Sequence, residues 1–153
     1  MPTRVFMSPK ELLDAVGAQL GPTDWIDITQ ERVNTFAEAT NDHQWIHVDV
    51  ERAKQGPFGA PIAHGFLTMS LCAPFLFQLC EVHGIAMGIN YGVNKARFIT
   101  PVKVPGRVRA TGELVEATEV AGGVQTVVRI SIEIDGETKP AAVVDMVSRY
   151  IAA

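Results

Sequence analysis

Four side chains able to move protons or bind a metal lie close together in the sequence. Asp42, His43, His47 and Asp49 all fall within the segment ATNDHQWIHVDVERA. Asp42 and His47 are five positions apart, so on a continuous helix they would point about 140° away from each other. The helical pattern fails at Asn41, and Asn and Asp tolerate left-handed backbone, so we expect a bend that brings the two side chains together.

The spacing alone is compatible with three roles for these residues. A carboxylate and an imidazole that share one water can remove its proton, because imidazole exchanges protons near neutral pH. His43 and His47 instead have the spacing of a helical zinc pair, but the zinc-protease signature needs Glu where Gln44 stands, and no third ligand follows at a familiar spacing. In the third interpretation, Asp42 only caps the following turn and His47 is an ordinary loop histidine.

The composition bounds the class of protein. With 153 residues and 47% apolar content, we expect a single domain spanning residues 1–153. Thirteen Lys and Arg against seventeen Asp and Glu, with no basic run, argue against nucleic acid as a partner. The first residues lack the apolar stretch of a signal peptide, and the longest apolar segment, GFLTMSLCAPFLFQLC, is shorter than the roughly 20 residues that span a bilayer. We expect no membrane association.

The two cysteines bear on the cellular compartment. Cys72 and Cys80 fall eight residues apart on one predicted helix, which separates their backbones by roughly 12 Å. That distance is too long for a disulfide between them. Two unpaired thiols without an export signal predict a cytoplasmic protein.

Helical patterns dominate the first half of the chain. The segment SPKELLDAVGAQLG predicts an amphipathic helix with Ser8 as its N-cap and Gly21 just past its end. DWIDI predicts a brief strand, and Thr29 caps a second helix over TQERVNTFAEAT that stops near Asn41. KQGPFGAP has the composition of a loop. From His64 to about Val82 the pattern is apolar on nearly all sides, which predicts a helix surrounded by protein.

Extended patterns dominate the second half. Four segments are rich in β-branched residues: IAMGINYGVNKARFITPVKVPG, RVRATGELVEATEV, VQTVVRISIEIDG and AAVVDMVSRYI. The third alternates cleanly, with Val128, Ile130, Ile132 and Ile134 on one face. Gly-Gly and Asp-Gly pairs supply turns between strands. Helices followed by hairpin-linked strands predict an α+β fold, in which an antiparallel sheet packs on the apolar helix.

Two motifs together resemble a known family. NDHQWIHVDVERA, followed by PIAHG, resembles the signature of MaoC-like dehydratases, the (R)-specific enoyl-CoA hydratases of the hotdog fold. The family pattern is Gly-Asp-x-Asn-Pro-Leu-His-x-Asp and, further along, Pro-Ile-Ala-His-Gly at the start of a helix. Asp42, His47, Asp49 and the run Pro61–Gly65 match it in type and spacing. NKARFITPVKVPGRVRA is similar to a family strand, so the likeness covers roughly residues 24–151.

The resemblance implies a fold and an activity. The fold would be the hotdog, an antiparallel β-sheet wrapped around a central apolar α-helix. The activity would be that of a hydro-lyase in fatty acid metabolism, which hydrates a trans-2-enoyl thioester to the (R)-3-hydroxyacyl product or catalyses the reverse dehydration. Coenzyme A or acyl carrier protein would carry the substrate. Neither a metal nor another cofactor is expected, and the chain would form a homodimer.

The resemblance also implies roles for particular residues. Asp42 and His47 would be the catalytic pair, and the backbone N–H of Gly65 would be the oxyanion donor. A glycine that opens a buried helix suits this role, because it allows close approach of a carbonyl and its N–H is free. The substrate would contact three residues on or next to that helix: His64, Phe66 and Met69.

Three departures from the family pattern bear on the site. Asn41 replaces Gly, which a left-handed backbone tolerates. Gln44 and Trp45 replace Asn and Pro, so the orientation of His47 is less constrained, and Trp45 could pack beneath the loop. Ala73 stands where some hydratases place a serine, so a hydroxyl that supports the carboxylate must come from elsewhere.

Two other activities remain possible for a hotdog protein. A thioesterase would hydrolyse the thioester rather than hydrate the double bond. A non-catalytic subunit would bind an acyl thioester without turnover. The acyl chain length, the carrier and the physiological direction are open. Four basic residues could meet phosphates of coenzyme A or be solvated strand positions: Lys95, Arg97, Lys103 and Arg107.

Overall fold

A six-stranded antiparallel sheet is the frame of the protein, which a computed structural model describes over residues 3–153. The strands are β1 (Arg4–Phe6), β2 (Gln19–Leu20), β3 (Ile26–Ile28), β4 (Cys80–Val82), β5 (Ile85–Phe98), β6 (Gly106–Val120), β7 (Gly123–Ile134) and β8 (Ala142–Ala152). The sheet order is β2-β6-β7-β8-β5, with β3 also paired with β6. β1 and β4 form a separate two-stranded parallel sheet. β5 therefore lies at an edge of the main sheet.

The helical segments include one 3-10 helix, Pro9–Asp14. The α-helices are α1 (Gln30–Thr40), α2 (Trp45–Val48), α3 (Val50–Lys54), α4 (Gly65–Ser70) and α5 (Cys72–Leu79). The predicted α+β class is confirmed. Within residues 3–153, no helix combines the length and apolar character needed to cross a bilayer.

The alternating sequence pattern of β7 corresponds to one buried and one more exposed face of the strand. Val128, Ile130 and Ile132 are at most 2% exposed, whereas Arg129 between them lies on the exposed face. Gly122, with φ 80°, and Gly136, with φ 87°, provide the two flanking turns, because glycine adopts positive φ without steric cost. The predicted strands and turns of this half of the chain are confirmed.

Helix α5 packs its apolar side against the sheet. Phe75 and Leu79 are at most 1% exposed, and burial of each such side chain stabilises the fold by about 1.5–3 kcal/mol. A side chain at Gly112 of β6 would meet Leu79 Cδ1 at 3.1 Å, so this glycine permits the close approach. The opposite side of the helical segment is not covered, since Phe66 is 65% and Phe77 is 77% exposed. Within the single chain, protein therefore covers the side of the helical segment that faces the sheet and leaves the other side exposed.

The helix predicted from His64 to about Val82 ends early. It ends at Leu79, and Cys80 begins β4, whose backbone pairs with Arg4. The sheet pairing satisfies backbone groups that a longer helix would otherwise have satisfied. The two cysteines therefore lie on different elements. Both thiols are free and buried, and burial raises the pKa of Cys72 to about 12.

The first predicted helix is shorter than its sequence pattern suggests. Only Pro9–Asp14 is helical, as a 3-10 helix, and the Ser8 side chain makes no capping hydrogen bond. The Glu11 carboxylate accepts a hydrogen bond from the Met7 N–H at 2.8 Å. Gly17 then adopts φ 96° and donates its N–H to the Leu114 carbonyl. The chain thereby joins the main sheet instead of continuing as a helix.

Candidate active site

A sharp bend follows helix α1. The helix begins as predicted, with the Thr29 hydroxyl accepting a hydrogen bond from the Arg32 N–H at 3.1 Å. It ends at Thr40, and Asn41 has left-handed backbone angles, φ 61° and ψ 25°. A new turn of helix, α2, starts at Trp45. The predicted bend is therefore present, and it turns the residues after Asn41 back toward the protein.

The bend brings Asp42 and His47 together. One polar atom of each of Asp42, His47 and His64 lies within 4.8 Å of the others. Two hydrogen bonds of usual length span roughly 5.5 Å, so the carboxylate and an imidazole nitrogen are close enough to hold one water between them. His43 lies outside this cluster, because its ring is paired with Glu38 at 2.9 Å on the surface. The zinc pair of His43 and His47 is not formed.

Hydrogen bonding distinguishes the two ring nitrogens of His47. Nδ1 lies 2.6 Å from the carbonyl oxygen of Ile62. A carbonyl only accepts, so Nδ1 carries the proton and Nε2 has the free lone pair. The ring is 7% exposed. Burial lowers the pKa of His47, aided by nearby His64 and opposed by the Ile62 bond and by Asp42. The neutral ring is thus a base at Nε2.

Helix α1 holds the backbone of His47 in place. The Gln30 side-chain amide donates to the His47 carbonyl at 2.7 Å and to the Asn34 side chain at 2.9 Å. Gln30 Oε1 is buried without a hydrogen-bond partner within the described chain. The first turn of α1 therefore anchors α2 directly.

His64 lies next to Asp42 and His47, at the residue before α4. Its ring is 2% exposed. Its centroid lies 3.9 Å from that of His47 with the planes 24° apart, and 4.8 Å from that of Phe36. Nε2 is 3.0 Å from the backbone carbonyl of Asp42. His64 thus contacts both halves of the pair.

The orientation of the two imidazoles bears on whether the cluster could hold a metal. An imidazole binds a metal through a lone pair in its own ring plane. The planes of His47 and His64 are only 24° from parallel and the rings are stacked, so they do not converge on a common point beside the rings. The geometry suits a water held by Asp42 and His47 better than an ion bound by all three residues.

Gly65 is the first residue of α4, as predicted. Its N–H therefore has no partner within the helix. A side chain here would meet the ring of Phe98 at 2.9–3.1 Å, so the glycine permits this close approach. Gly65 and Phe98 lie on a cavity of about 280 Å³ whose other lining residues are mostly apolar, including Ile62 and Val102.

The other two residues predicted to contact substrate lie on the same helix. Phe66 is largely exposed and packs edge-on against Phe98, with ring centroids 5.9 Å apart. Met69 is half-buried and lies on a second cavity of about 210 Å³, next to Cys72 and Tyr91. Substrate contact for Phe66 and Met69 stays a prediction.

Trp45, which departs from the family pattern, and Asp49, which matches it, both contact the segment around His47. The Trp45 ring lies 4.2 Å from the guanidinium of Arg52, and a side chain at Gly56 would meet the same ring at 3.0 Å. Asp49 caps α3, since its Oδ1 accepts from the Arg52 N–H at 3.1 Å. Trp45 therefore packs within the loop, as its size suggested.

The basic residues considered for phosphate binding differ in their surroundings. Arg107 is paired with Asp135 at 2.7 Å. Over residues 3–153, Lys95, Arg97 and Lys103 form no ion pair. Contact with coenzyme A stays a prediction for all four residues.

Two contributors to the site were not expected from the sequence. Gln30 supports the His47 backbone from helix α1, and Ile62 fixes the His47 tautomer through its carbonyl. A backbone carbonyl carries no residue-specific signal. The position of Gln30 in the first turn of a capped helix is the only hint that its side chain could reach a neighbouring segment.

The structure resembles solved hotdog proteins over most of its length. A monoamine oxidase regulatory protein from Archaeoglobus fulgidus is 23% identical, with a TM-score of 0.76, covering 99% of this chain and 98% of that one. An (R)-hydratase of A. caviae involved in PHA biosynthesis is 24% identical, with a TM-score of 0.71, covering 87% and 94%. The protein is thus a hotdog domain with a carboxylate–imidazole site at the start of its central helix.

Sequence relatives give the family. Residues 11–135 match the model of the MaoC like domain. The 3-hydroxyacyl-thioester dehydratase Z of Mycobacterium tuberculosis is 50% identical over 150 residues, which cover 97% of this chain and 99% of that protein. The chain belongs to the MaoC-like dehydratase family and is an enzyme of the hydro-lyase class.

Proposed function

We propose that the protein adds water to trans-2-enoyl thioesters to form (R)-3-hydroxyacyl thioesters, or catalyses the reverse dehydration, in fatty acid metabolism. The observation that carries the proposal is the convergence of Asp42, His47 and the start of helix α4 at one place. Coenzyme A or acyl carrier protein presents the acyl group, and the reaction uses neither a metal nor another cofactor.

Two side chains and one backbone N–H have separate roles in the proposed hydration. Asp42 and His47 Nε2 hold one water, and the pair takes one of its protons as the hydroxide oxygen bonds to carbon 3. The double bond shifts to an enolate, which places negative charge on the thioester oxygen. The Gly65 N–H donates a hydrogen bond to that oxygen, and a donor of this kind contributes about 3 kcal/mol to transition-state stabilisation. One proton returns from the pair to carbon 2, so the enzyme ends in its starting protonation state.

The electrostatics of the site support this division. The Ile62 carbonyl holds the Nδ1 proton of His47, which directs the basic nitrogen away from the backbone. Burial lowers the pKa of His47, so the ring is neutral and able to accept a proton at neutral pH.

Turnover of a chain-length series of enoyl-CoA substrates tests the proposal. We expect loss of the enoyl thioester absorbance and a product of (R) configuration. The same series presented on acyl carrier protein determines the carrier. Release of free thiol without loss of the double bond would contradict the proposal and favour a thioesterase. Binding without turnover would favour a non-catalytic subunit.

The proposal includes a homodimer formed through β5. This strand is 14 residues long and, within residues 3–153, pairs on one side only, with β8. A long, apolar, unpaired edge exposes backbone groups that another chain can bind. Five large apolar side chains along it are 40–57% exposed: Met87, Ile89, Tyr91, Val93 and Phe98.

A further inference from the structure

His64 contacts three separate parts of the candidate site. The ring is stacked on His47 at 3.9 Å. Its Nε2 is 3.0 Å from the Asp42 carbonyl, so the Nε2–H donates to that oxygen. In the chain, His64 is the residue directly before Gly65 and α4. A single side chain therefore joins the carboxylate, the imidazole and the helix start.

The burial of His64 argues against direct substrate contact. The residue is 2% exposed, and Phe36 covers its ring at 4.8 Å. A substrate would have to displace one of these neighbours to reach it. Its action must therefore pass through the residues that it holds.

The remaining nitrogen of His64 gives no packing reason for a histidine at this position. Nδ1 is buried and has no hydrogen-bond partner in the described chain. A buried acceptor without a partner is unfavourable, so a phenylalanine would fill this position at lower cost if only packing were required. The donor at Nε2 is the feature that a phenylalanine would lack.

We infer that His64 is a positioning residue, which holds the Asp42 backbone and the His47 ring in the arrangement needed to share one water. The inference rests on the proposed function and assigns His64 no contact with substrate. The Nε2–H bond prevents the bend after Asn41 from opening, and the stacked ring limits rotation of His47 about its side chain.

Two substitutions separate the hydrogen bond from the packing. His64→Phe keeps an aromatic ring between Phe36 and His47 but removes the donor to Asp42. His64→Gln can keep a donor but removes the ring. We expect His64→Phe to lower kcat about 10- to 100-fold, as small displacements of catalytic groups do, with KM little changed and the thermal unfolding midpoint preserved or raised. His64→Gln should retain more of kcat than His64→Phe.

The pH dependence of kcat/KM tests the positioning role, because a purely structural role for His64 would leave that dependence unchanged. The titratable groups that act on His47 are Asp42 in the bend and His64, while α1 faces it with the neutral Gln30. Proximity to His64 is one cause of the lowered pKa of His47. In His64→Gln the acid limb of kcat/KM should therefore move to higher pH. The matched control is His83→Gln, because His83 is a surface histidine paired with Glu81. This substitution should change neither kcat nor the acid limb of kcat/KM.

NMR titration of the His47 ring separates this inference from the proposed function, because it requires no turnover. We expect the His47 titration midpoint to rise in His64→Gln and the Nδ1–H tautomer to persist. Wild-type kcat in His64→Phe, or a loss confined to KM, would overturn the inference. So would a fall in activity that only follows a fall in the unfolding midpoint. An inactive wild-type enzyme with a shifted His47 titration would overturn the proposed function alone.

Discussion

At the scale of single residues, the surroundings of His47 make it a base that resists protonation. Nδ1 donates to the Ile62 carbonyl, and the ring is 7% exposed. The folded state thus favours the neutral ring. This preference fits the proposed chemistry, in which Nε2 accepts a proton from water.

The same preference predicts a dependence of stability on pH. Burial holds the pKa of His47 below 6.5 in the folded protein, whereas the unfolded chain takes up a proton near about pH 6.5. Below that pH the unfolded state binds more protons, so acid favours unfolding. The contribution is fully present above about pH 6.5 and is lost as the pH falls through the folded pKa. Urea unfolding between about pH 7 and pH 5 should show a shallower loss of unfolding free energy in His47→Gln than in wild type. An equally steep loss of unfolding free energy in both proteins would contradict this prediction.

The sequence points to some residues of the candidate site and not to others. Residue types and spacing single out Asp42 and His47, and the family resemblance adds Gly65; the structure brings polar atoms of Asp42 and His47 within 4.8 Å. Gln30 and Ile62 could not be found in this way. One acts across 17 residues and the other through its backbone, so neither leaves a pattern in the sequence.

At the scale of elements, the start of α4 is determined by the packing of β5 on it. Phe98, at the end of β5, lies against the Cα of Gly65, where an added side chain would come within 2.9 Å of its ring. Two contacts could each account for glycine at this position: the packing of the Phe98 ring and the approach of a substrate carbonyl. These reasons can be separated by experiment.

Gly65→Ala should lower both stability and kcat. When Phe98 is also replaced by alanine, the stability should recover but kcat should not. In a Phe98→Ala background, the clash is absent, and alanine is preferred to glycine in a helix by about 0.5–1 kcal/mol. The thermal midpoint of Gly65→Ala/Phe98→Ala should therefore match or exceed that of Phe98→Ala. Its kcat should stay at least about 10-fold lower, because the methyl group still obstructs the carbonyl. Recovery of kcat to the Phe98→Ala value would show that the glycine serves packing alone.

Element ends were the least predictable part of the fold from the sequence. Strands β6, β7 and β8 follow their apolar alternation closely, and α1 begins and ends at the predicted cap and bend. The segments Ser8–Gly21 and His64–Val82 have helical patterns that extend beyond their helices. In both, pairing with a distant strand, β6 or β1, takes over the backbone hydrogen bonds, and local sequence contains no information about that partner.

At the scale of the whole molecule, the exposed apolar surface is concentrated on one edge of the sheet and one side of the helical segment. Strand β5 exposes large apolar side chains at alternate positions. Phe66 and Phe77 are exposed on α4 and α5. These surfaces are consistent with the proposed homodimer.

Charges on the β5 edge should prevent the proposed homodimer. Ile89→Glu/Val93→Glu places two carboxylates on the exposed side of the strand, and the dimer would bring four such charges together. By sedimentation over a concentration series, we expect a dimer for wild type and a monomer for this variant. Val16→Glu is the matched control, since Val16 is 52% exposed and lies near β2, at the opposite edge of the sheet. Wild-type protein that is monomeric at every concentration would contradict the dimer.

The central claim is that Asp42 and His47 act as one unit on one water. A double-mutant cycle in kcat for enoyl-CoA hydration tests it most directly, with Asp42→Asn, His47→Gln and the double variant. Each single substitution should lower kcat by about 10²–10⁴. The double variant should be no slower than the slower single variant, because either loss already disables the shared water. Losses that multiply in the double variant, or a single variant with wild-type kcat, would contradict the claim.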